Sequence, residues 1–359
     1  MTMNRTDESK YTPVQNLTGM PWEELEDWVA GELLERPFRA RQLFSWIHHR
    51  GAESVNDMTD IPKALRERLS ECAALTVLET IERADGDDGT QRFLLRLPDG
   101  LVAESVLIPD PPRLTACLST QVGCKMKCAF CMTGQVGFRR NLTSHEITAQ
   151  LYALRKASQE RISNVVLMGM GEPLDNLDQV LPALLVISHD SGICIGQRKI
   201  TISTIGLPNG IERLSRLGRQ YGLALSLHSA VAKTREMLVP AAAATSLHQL
   251  RQSLVAWTDA IGRRVTLEYC LIAGVNDSER EADALADFAQ GLPCKINLLL
   301  YNRVASLPWK RPDEPAVSAF MARLFPRCPA VTLRKSRGSD VQGACGQLGA
   351  SVLSTTTKG

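Results

Sequence analysis

The apolar positions of the chain change period along its length, and the changes divide it. Residues 1–15 are polar and aperiodic, which predicts a disordered tail. Across 16–74 apolar residues recur at helical spacing, with Leu25, Trp28 and Val29 in one run and Leu43, Phe44, Trp46 and Ile47 in another. That spacing predicts a small helical accessory domain. Across 75–112 the period falls to two: Phe93, Leu95 and Leu97 precede Pro98-Asp99-Gly100, and Val102, Val106 and Ile108 follow it. A β-hairpin extension is expected there, with Glu104 on its second strand, where a charged side chain usually faces solvent.

From 113 to 351 short apolar strands alternate with helical stretches. Strands are expected near 114–119, 164–168, 199–203, 223–227, 265–271, 295–300 and 331–333, and the first long helix opens with the capping-box pattern Thr143-Ser144-His145-Glu146. Alternation of this kind implies parallel βαβ units, enough for six repeats of a barrel that need not close. The expected fold is therefore α/β, a partial (β/α)6 barrel whose site lies on the loops after the strand C-termini. Residues 352–359, rich in Thr and Ser, are expected to be a second disordered tail.

Composition narrows the class without naming a partner. The 359 residues suffice for one large domain and a smaller one, and a net charge of +2 neither demands nor excludes a nucleic acid. Any such surface must be local; Arg39, Arg41, His48, His49 and Arg50 form one candidate, and a solvated helix face explains them equally well. Ten cysteines without a signal peptide or an apolar run of membrane length point to a reducing cytoplasm, with no membrane partner. Cys72, Cys194, Cys270, Cys294 and Cys328 are expected to be buried structural thiols.

Cys124, Cys128 and Cys131 are different, because their C-x3-C-x2-C spacing presents three thiols from one loop. Three ligands leave one iron of a four-iron cluster open to a substrate, whereas structural zinc takes four; Cys117 would have to complete a zinc knuckle. A chance grouping of buried thiols is the third reading. Gly171 and Glu172 follow the second strand in Met168-Gly169-Met170-Gly171-Glu172-Pro173, where glycines admit a ligand and a carboxylate can accept from an ammonium group. Ser203, Ser226, His228 and Asn302 close further strands and would face the same mouth, although the serines could cap helices and His228 could be a core histidine. Near the C-terminus Cys345 lies among small residues downstream of Arg334, Lys335 and Arg337, cations that favour a thiolate.

The cysteine spacing resembles the signature of radical S-adenosylmethionine (SAM) enzymes. Four blocks taken in order resemble more specifically the RlmN/Cfr family of radical SAM RNA adenine methyltransferases: 116–131, Gly137-Phe138-Arg139-Arg140-Asn141-Leu142, 169–174 and 334–347. Phe38-Arg39-Ala40-Arg41-Gln42-Leu43 and Met58-Thr59-Asp60-Ile61-Pro62 extend the likeness into the helical domain. The resemblance implies one [4Fe-4S] cluster on Cys124, Cys128 and Cys131, and SAM, two per turnover, held by Gly171, Glu172, Ser203, Ser226, Leu227, His228 and Asn302. It implies Cys345 as the methyl-carrying residue, Cys117 as the resolving thiol and Glu104 as a general base.

The implied activity is methylation of an adenine ring carbon, most simply carbon 2, of ribosomal or transfer RNA, through S-methylcysteine and a covalent protein–RNA intermediate. The implied partners are the RNA, a low-potential electron donor such as flavodoxin, and a thiol reductant for the Cys117–Cys345 disulfide. Arg139, Arg140, Lys310, Arg311, Arg334, Lys335 and Arg337 are candidates to hold its backbone. The chain departs from the family pattern at 241–244 and 303–308, which touches no implied catalytic residue. Methylation at carbon 8, a radical reaction on another substrate, and a non-enzymatic zinc-stabilised RNA-binding module are the alternatives.

Overall fold

The computed structural model describes residues 14–328 and 330–349. The tail expected at 352–359 lies outside them, as do residues 1–13 of the other. The first unit begins with β1 (Gln15–Asn16), continues through α1 (Trp22–Gly31), α2 (Phe38–Phe44) and α3 (Lys63–Cys72), and ends on β2 (Ala73–Ala74). Gln15, read from sequence as the end of the tail, already pairs with Ala73 in a parallel bridge. The helices meet over Leu25, Val29, Leu43, Phe44 and Ile47, residues whose period identified them, and over Leu65 and Leu69 of α3.

His48 departs from expectation. It is fully buried rather than part of a basic surface, because α2 runs on into a wider helical turn over Ser45–Arg50 that rotates it inward. There its Nδ1 meets the Tyr152 hydroxyl and its ring packs 4.2 Å from that of Phe44. Arg155 donates to the His48 carbonyl at 3.0 Å, so one short turn ties the helical unit to the rest of the chain.

An antiparallel set follows: β3 (Glu79–Asp85), β4 (Gln91–Arg96), β5 (Val102–Asp110) and β6 (Arg113–Cys117). The expected hairpin is β4–β5, closed by Gly100 at φ 83°. The chain then forms β7 (Gln121–Val122), α4 (Met132–Val136), β8 (Arg140–Asn141) and α5 (Ser144–Ala157). The capping box is present: Glu146 N–H donates to Thr143 Oγ1, and Thr143 N–H donates to Glu146 Oε2 at 2.9 Å.

Alternation continues with β9 (Asn164–Leu167), α6 (Leu177–Ser188), β10 (Ile200–Thr204), α7 (Pro208–Arg216), β11 (Gly222–Ser226), α8 (Ala232–Leu238) and α9 (Leu247–Ile261). It ends with β12 (Val265–Leu271), α10 (Glu279–Ala289), β13 (Cys294–Leu300), α11 (Glu314–Leu324) and β14 (Val331–Arg334). All ten larger strands form one sheet in the order β14-β13-β12-β11-β10-β9-β6-β5-β4-β3, parallel from β6 to β14. This is the open (β/α)6 barrel expected, with one further parallel strand and with the antiparallel extension continuing its first edge.

The sheet buries two chemically different faces. Toward the helices, Leu167, Ile202, Leu225, Leu267 and Leu298 pack on Leu151, Val180, Leu254 and Leu285; burying each such side chain contributes about 1.5–3 kcal/mol before entropy is counted. The inner face is more polar, because side chains alternate along a strand. Its registers place Arg92, Val106, Cys117, Val166 and Thr201 in one row. Ser226, Glu268, Asn297 and Thr332 form another. After β14 the chain crosses to the antiparallel end: Gly338 N–H donates to Asp88 Oδ2 at 3.0 Å and Arg92 Nε to the Val341 carbonyl at 2.8 Å. It thereby spans the two ends of the open sheet and lays Cys345 over the inner face.

Candidate active site

The cysteine loop joins β7 to α4 and is held from outside. Ala129 N–H donates to the Leu238 carbonyl at 2.9 Å, Trp309 Nε1 to the Ala129 carbonyl at 3.0 Å, and Met132 N–H to the Gly346 carbonyl at 2.8 Å. Cys124, Cys128 and Cys131 are free thiols on one wall of a pocket at the strand C-termini. They interact with one another, and burial pushes Cys124 up to about 12 and Cys128 well above the usual thiol range. Cluster iron would have to compensate that cost by ligation.

Among the described residues no three His, Cys, Asp or Glu side chains converge tightly enough to hold a single metal ion. Three thiols from one loop suit a cluster that takes each one on a separate iron and keeps a fourth iron open better than a structural zinc ion, which takes four ligands. Cys117 does not complete a knuckle either: it is buried on β6, and its charged or thiol neighbours are Cys345 and Arg334. The three-cysteine loop therefore fits a four-iron cluster.

Opposite the thiols stand the polar strand ends. Gly171, Glu172, Ser203, Ser226, His228 and Asn302 all line this pocket. Gly171 adopts φ 105°, and a Cβ there would stand 2.8 Å from the Gln121 backbone nitrogen, so glycine is required by conformation and by space. Glu172 is buried, with Oε1 accepting from Leu174 N–H at 3.0 Å and Oε2 from Ile205 N–H at 2.9 Å. Burial nevertheless raises its pKa to about 7, poising the carboxylate for a cationic ligand.

Ser203 and Ser226 hydroxyls lie 3.4 Å apart. His228 holds a left-handed backbone, φ 58°, and burial drives its pKa down to about 3, so its ring is neutral. Its Nδ1 accepts from Cys270 N–H at 3.1 Å, which leaves the proton on Nε2. Asn302 Nδ2 donates to the Cys345 carbonyl at 3.1 Å.

Three expected residues are not on the pocket wall. Leu227 is fully buried, its N–H donating to the Glu268 carbonyl at 3.0 Å. Cys117 lies behind the wall. Glu104, expected at a solvent-facing position, is 1% exposed and 3.9 Å from Arg92, because the C-terminal crossing covers its face of β5, with Leu348 packed on Leu94 and Val106. It shares the inner face with Val106, the register partner of Cys117.

Cys345 is open to the pocket, yet that pocket is deep in protein. Burial raises its thiol pKa, and nearby Arg334 only partly offsets this, so the cationic depression expected from sequence is outweighed. Two of the cations expected to hold RNA are already engaged: Arg140 grips Glu146 at 2.8 Å and Asp99 at 2.6 Å, and Arg337 lies 3.6 Å from Asp110.

Sequence reasoning missed three residues. Cys270, taken as structural, lines the pocket, and so does Glu268. Arg235 on α8 is buried and donates to the carbonyls of Ser226 at 3.2 Å, Leu227 at 2.6 Å and Ile205 at 2.5 Å, pinning the ends of β10 and β11. The one charged residue of an otherwise uncharged strand was the signal that could have found Glu268; nothing local marked Arg235.

An open β/α sheet with three thiols at the end of its first parallel strand and a glycine-carboxylate turn after its second defines a radical SAM enzyme. Two family models agree: residues 15–75 match the ribosomal RNA large subunit methyltransferase N-terminal domain, and residues 118–286 match the radical SAM superfamily. The probable dual-specificity RNA methyltransferase RlmN of Synechococcus sp. (strain RCC307) is 44% identical over 92% of this chain and 96% of its own length. The dual-specificity RNA methyltransferase RlmN of Magnetococcus marinus is 40% identical over 94% and 96%. A radical SAM methyltransferase from Sphaerobacter thermophilus superposes with a TM-score of 0.87 at 38% identity, covering 93% of this chain and 98% of that one. The chain belongs to the RlmN family of radical SAM RNA methyltransferases. No helix among the described residues is long and apolar enough to cross a membrane.

Proposed function

We propose that this chain methylates carbon 2 of an adenine in ribosomal or transfer RNA by way of Cys345. The observation that carries the reading is the placement of Cys345 in the pocket lined by Cys124, Cys128 and Cys131, near enough to Cys117 to add to the burial that raises the Cys117 pKa. Cys124, Cys128 and Cys131 hold the cluster; Glu172, with Gly171 beside it, receives the ammonium group of SAM, and Ser203, Ser226, Leu227, His228 and Asn302 complete its site. When bound, the cluster and SAM supply a one-electron route to a carbon radical that takes a hydrogen atom from an S-methyl group.

Two SAM molecules serve one turnover, because the first gives its methyl to the Cys345 sulfur by displacement. An adenine carbon flanked by two nitrogens is electron-poor and does not attack a sulfonium methyl, so the protein thiol carries the group first. Cys345 then becomes joined through that carbon to the base, and the unpaired electron this leaves on the adduct would pass to the oxidised cluster. Glu104 takes the ring proton, a role supported by its place on the sheet face that bears Cys117. Cys117 attacks the Cys345 sulfur, the carbon–sulfur bond breaks with its electron pair leaving on the methylated base, and the disulfide is reduced by two electrons from a thiol donor.

Burial holds Cys117 up to about 12, so its thiol proton must leave as the sulfur–sulfur bond forms, and the carbon released from Cys345 takes up a proton to complete the methyl group. A low-potential donor such as flavodoxin supplies the single electrons, and the unit at 16–74 together with the extension at 75–112 is read as the RNA-facing part. The test is anaerobic incubation of the iron-loaded protein with SAM and unmodified RNA, followed by nucleoside mass spectrometry. 2-Methyladenosine supports the reading, 8-methyladenosine moves the site of attack, and an unmodified product overturns it.

A further inference from the structure

Glu268 has no part in the scheme above, yet its surroundings are built for a ligand. It stands on the inner face of β12, in register between Ser226 on β11 and Asn297 on β13. The residue is 6% exposed, and what it exposes lines the pocket shared with Cys345, His228 and Arg334. Its Oε1 accepts from Asn297 Nδ2 at 2.9 Å. Its Oε2 is buried and accepts no hydrogen bond from the protein.

A buried carboxylate oxygen left unsatisfied is costly, and folded proteins give it a donor, from water or, in a ligand pocket, from the ligand that displaces the water. On the proposed reaction, which this inference rests on, the pocket receives two adenosines: that of SAM and that of the target nucleotide. Both offer ribose hydroxyls and a 6-amino group, donors that match a carboxylate oxygen. We propose that Glu268 Oε2 is the hydrogen-bond acceptor for an adenosine bound in this pocket, with Asn297 fixing the carboxylate so that this oxygen faces the ligand.

Glu268→Gln tests the polarity without changing the shape. Asn297 Nδ2 donates, so the new amide turns its oxygen to Asn297 and puts an N–H2 where Oε2 stood. On anaerobic, iron-loaded protein, SAM affinity is read by titration calorimetry, Cys345 methylation by mass spectrometry, and RNA methylation as KM and kcat. If SAM is the source, its affinity falls roughly ten- to hundredfold in the variant. If the target adenosine is the source, SAM affinity and Cys345 methylation persist while KM for RNA rises by a similar factor.

Adding Asn297→Asp reverses the pairing: the new carboxylate takes the amide N–H2, the amide oxygen faces the pocket, and the lost affinity returns. A Glu268→Gln variant that matches wild type within about twofold in both affinities overturns the proposal. So does a folded double variant with no rescue of an impaired single one. Wild-type protein that carries its cluster but binds no SAM instead defeats the underlying reading, so the two failures are distinguishable.

Discussion

Arg235→Met isolates what holds the strand ends of the site. The guanidinium makes three hydrogen bonds to backbone carbonyls, two through Nη1 and one through Nη2. Bonds from a charged donor contribute roughly 1.5–3 kcal/mol each, or about 5–9 kcal/mol together. Opposing them, burial lowers the Arg235 pKa from 12.5 to about 10, a penalty of about 3 kcal/mol for keeping the charge, which methionine removes. The difference is a net loss of about 2–6 kcal/mol, with the bonds outweighing the burial. Urea unfolding of the cluster-free protein near neutral pH, followed by circular dichroism, measures it. The carbonyls belong to Ile205, Ser226 and Leu227, so SAM binding should weaken as well. A loss below about 0.5 kcal/mol would refute the reasoning, since it would mean that the three carbonyls find water or other donors unaided.

Acid should loosen the fold from near neutrality: burial holds His48 and His228 down to about 3, the native state excludes protons that the unfolded chain takes up near 6.5, and their contribution is therefore complete above 6.5 and falls below it, partly opposed by Glu172, which at about 7 protonates first in the native state. The loss approaches about 4 kcal/mol per histidine by pH 3, and an unfolding free energy that stays flat from about pH 7 to 5 would contradict it. Gly171→Ala should cost roughly 2–4 kcal/mol and SAM binding, because the new Cβ meets Gln121, whereas Gly262→Ala, at φ 70° with nothing within 4 Å, should cost only about 1 kcal/mol in thermal unfolding. Thr143→Ala removes the cap of α5 and should lower stability by about 1 kcal/mol in the same assay.

The parallel core was legible because its strands are apolar runs separated by helical periods, and each expected strand lies within two residues of the observed one at its start and end. The polar residues closing those runs were legible for the same reason: a parallel strand ends where its apolar run ends, at the mouth of the barrel. β3 was not, since at the free edge of the sheet Glu79–Asp85 is mostly exposed and carries no alternation. His48 was misjudged because a wider turn shifts the helical phase by a fraction of a turn, enough to move a side chain from surface to core. The exposure of Glu104 was misjudged because the covering segment lies some 230 residues away in sequence, a contact that no local period records.

The same long-range crossing brings Cys345 to Cys117, and the central claim rests on that meeting. The most direct test expresses Cys117→Ala with iron supply, purifies it anaerobically and looks for RNA covalently attached to Cys345. Without the resolving thiol the carbon–sulfur bond cannot be broken, so the account predicts trapped RNA whose attachment point is an adenine. Iron- and sulfide-replete protein that carries S-methylated Cys345 but no RNA adduct would contradict it.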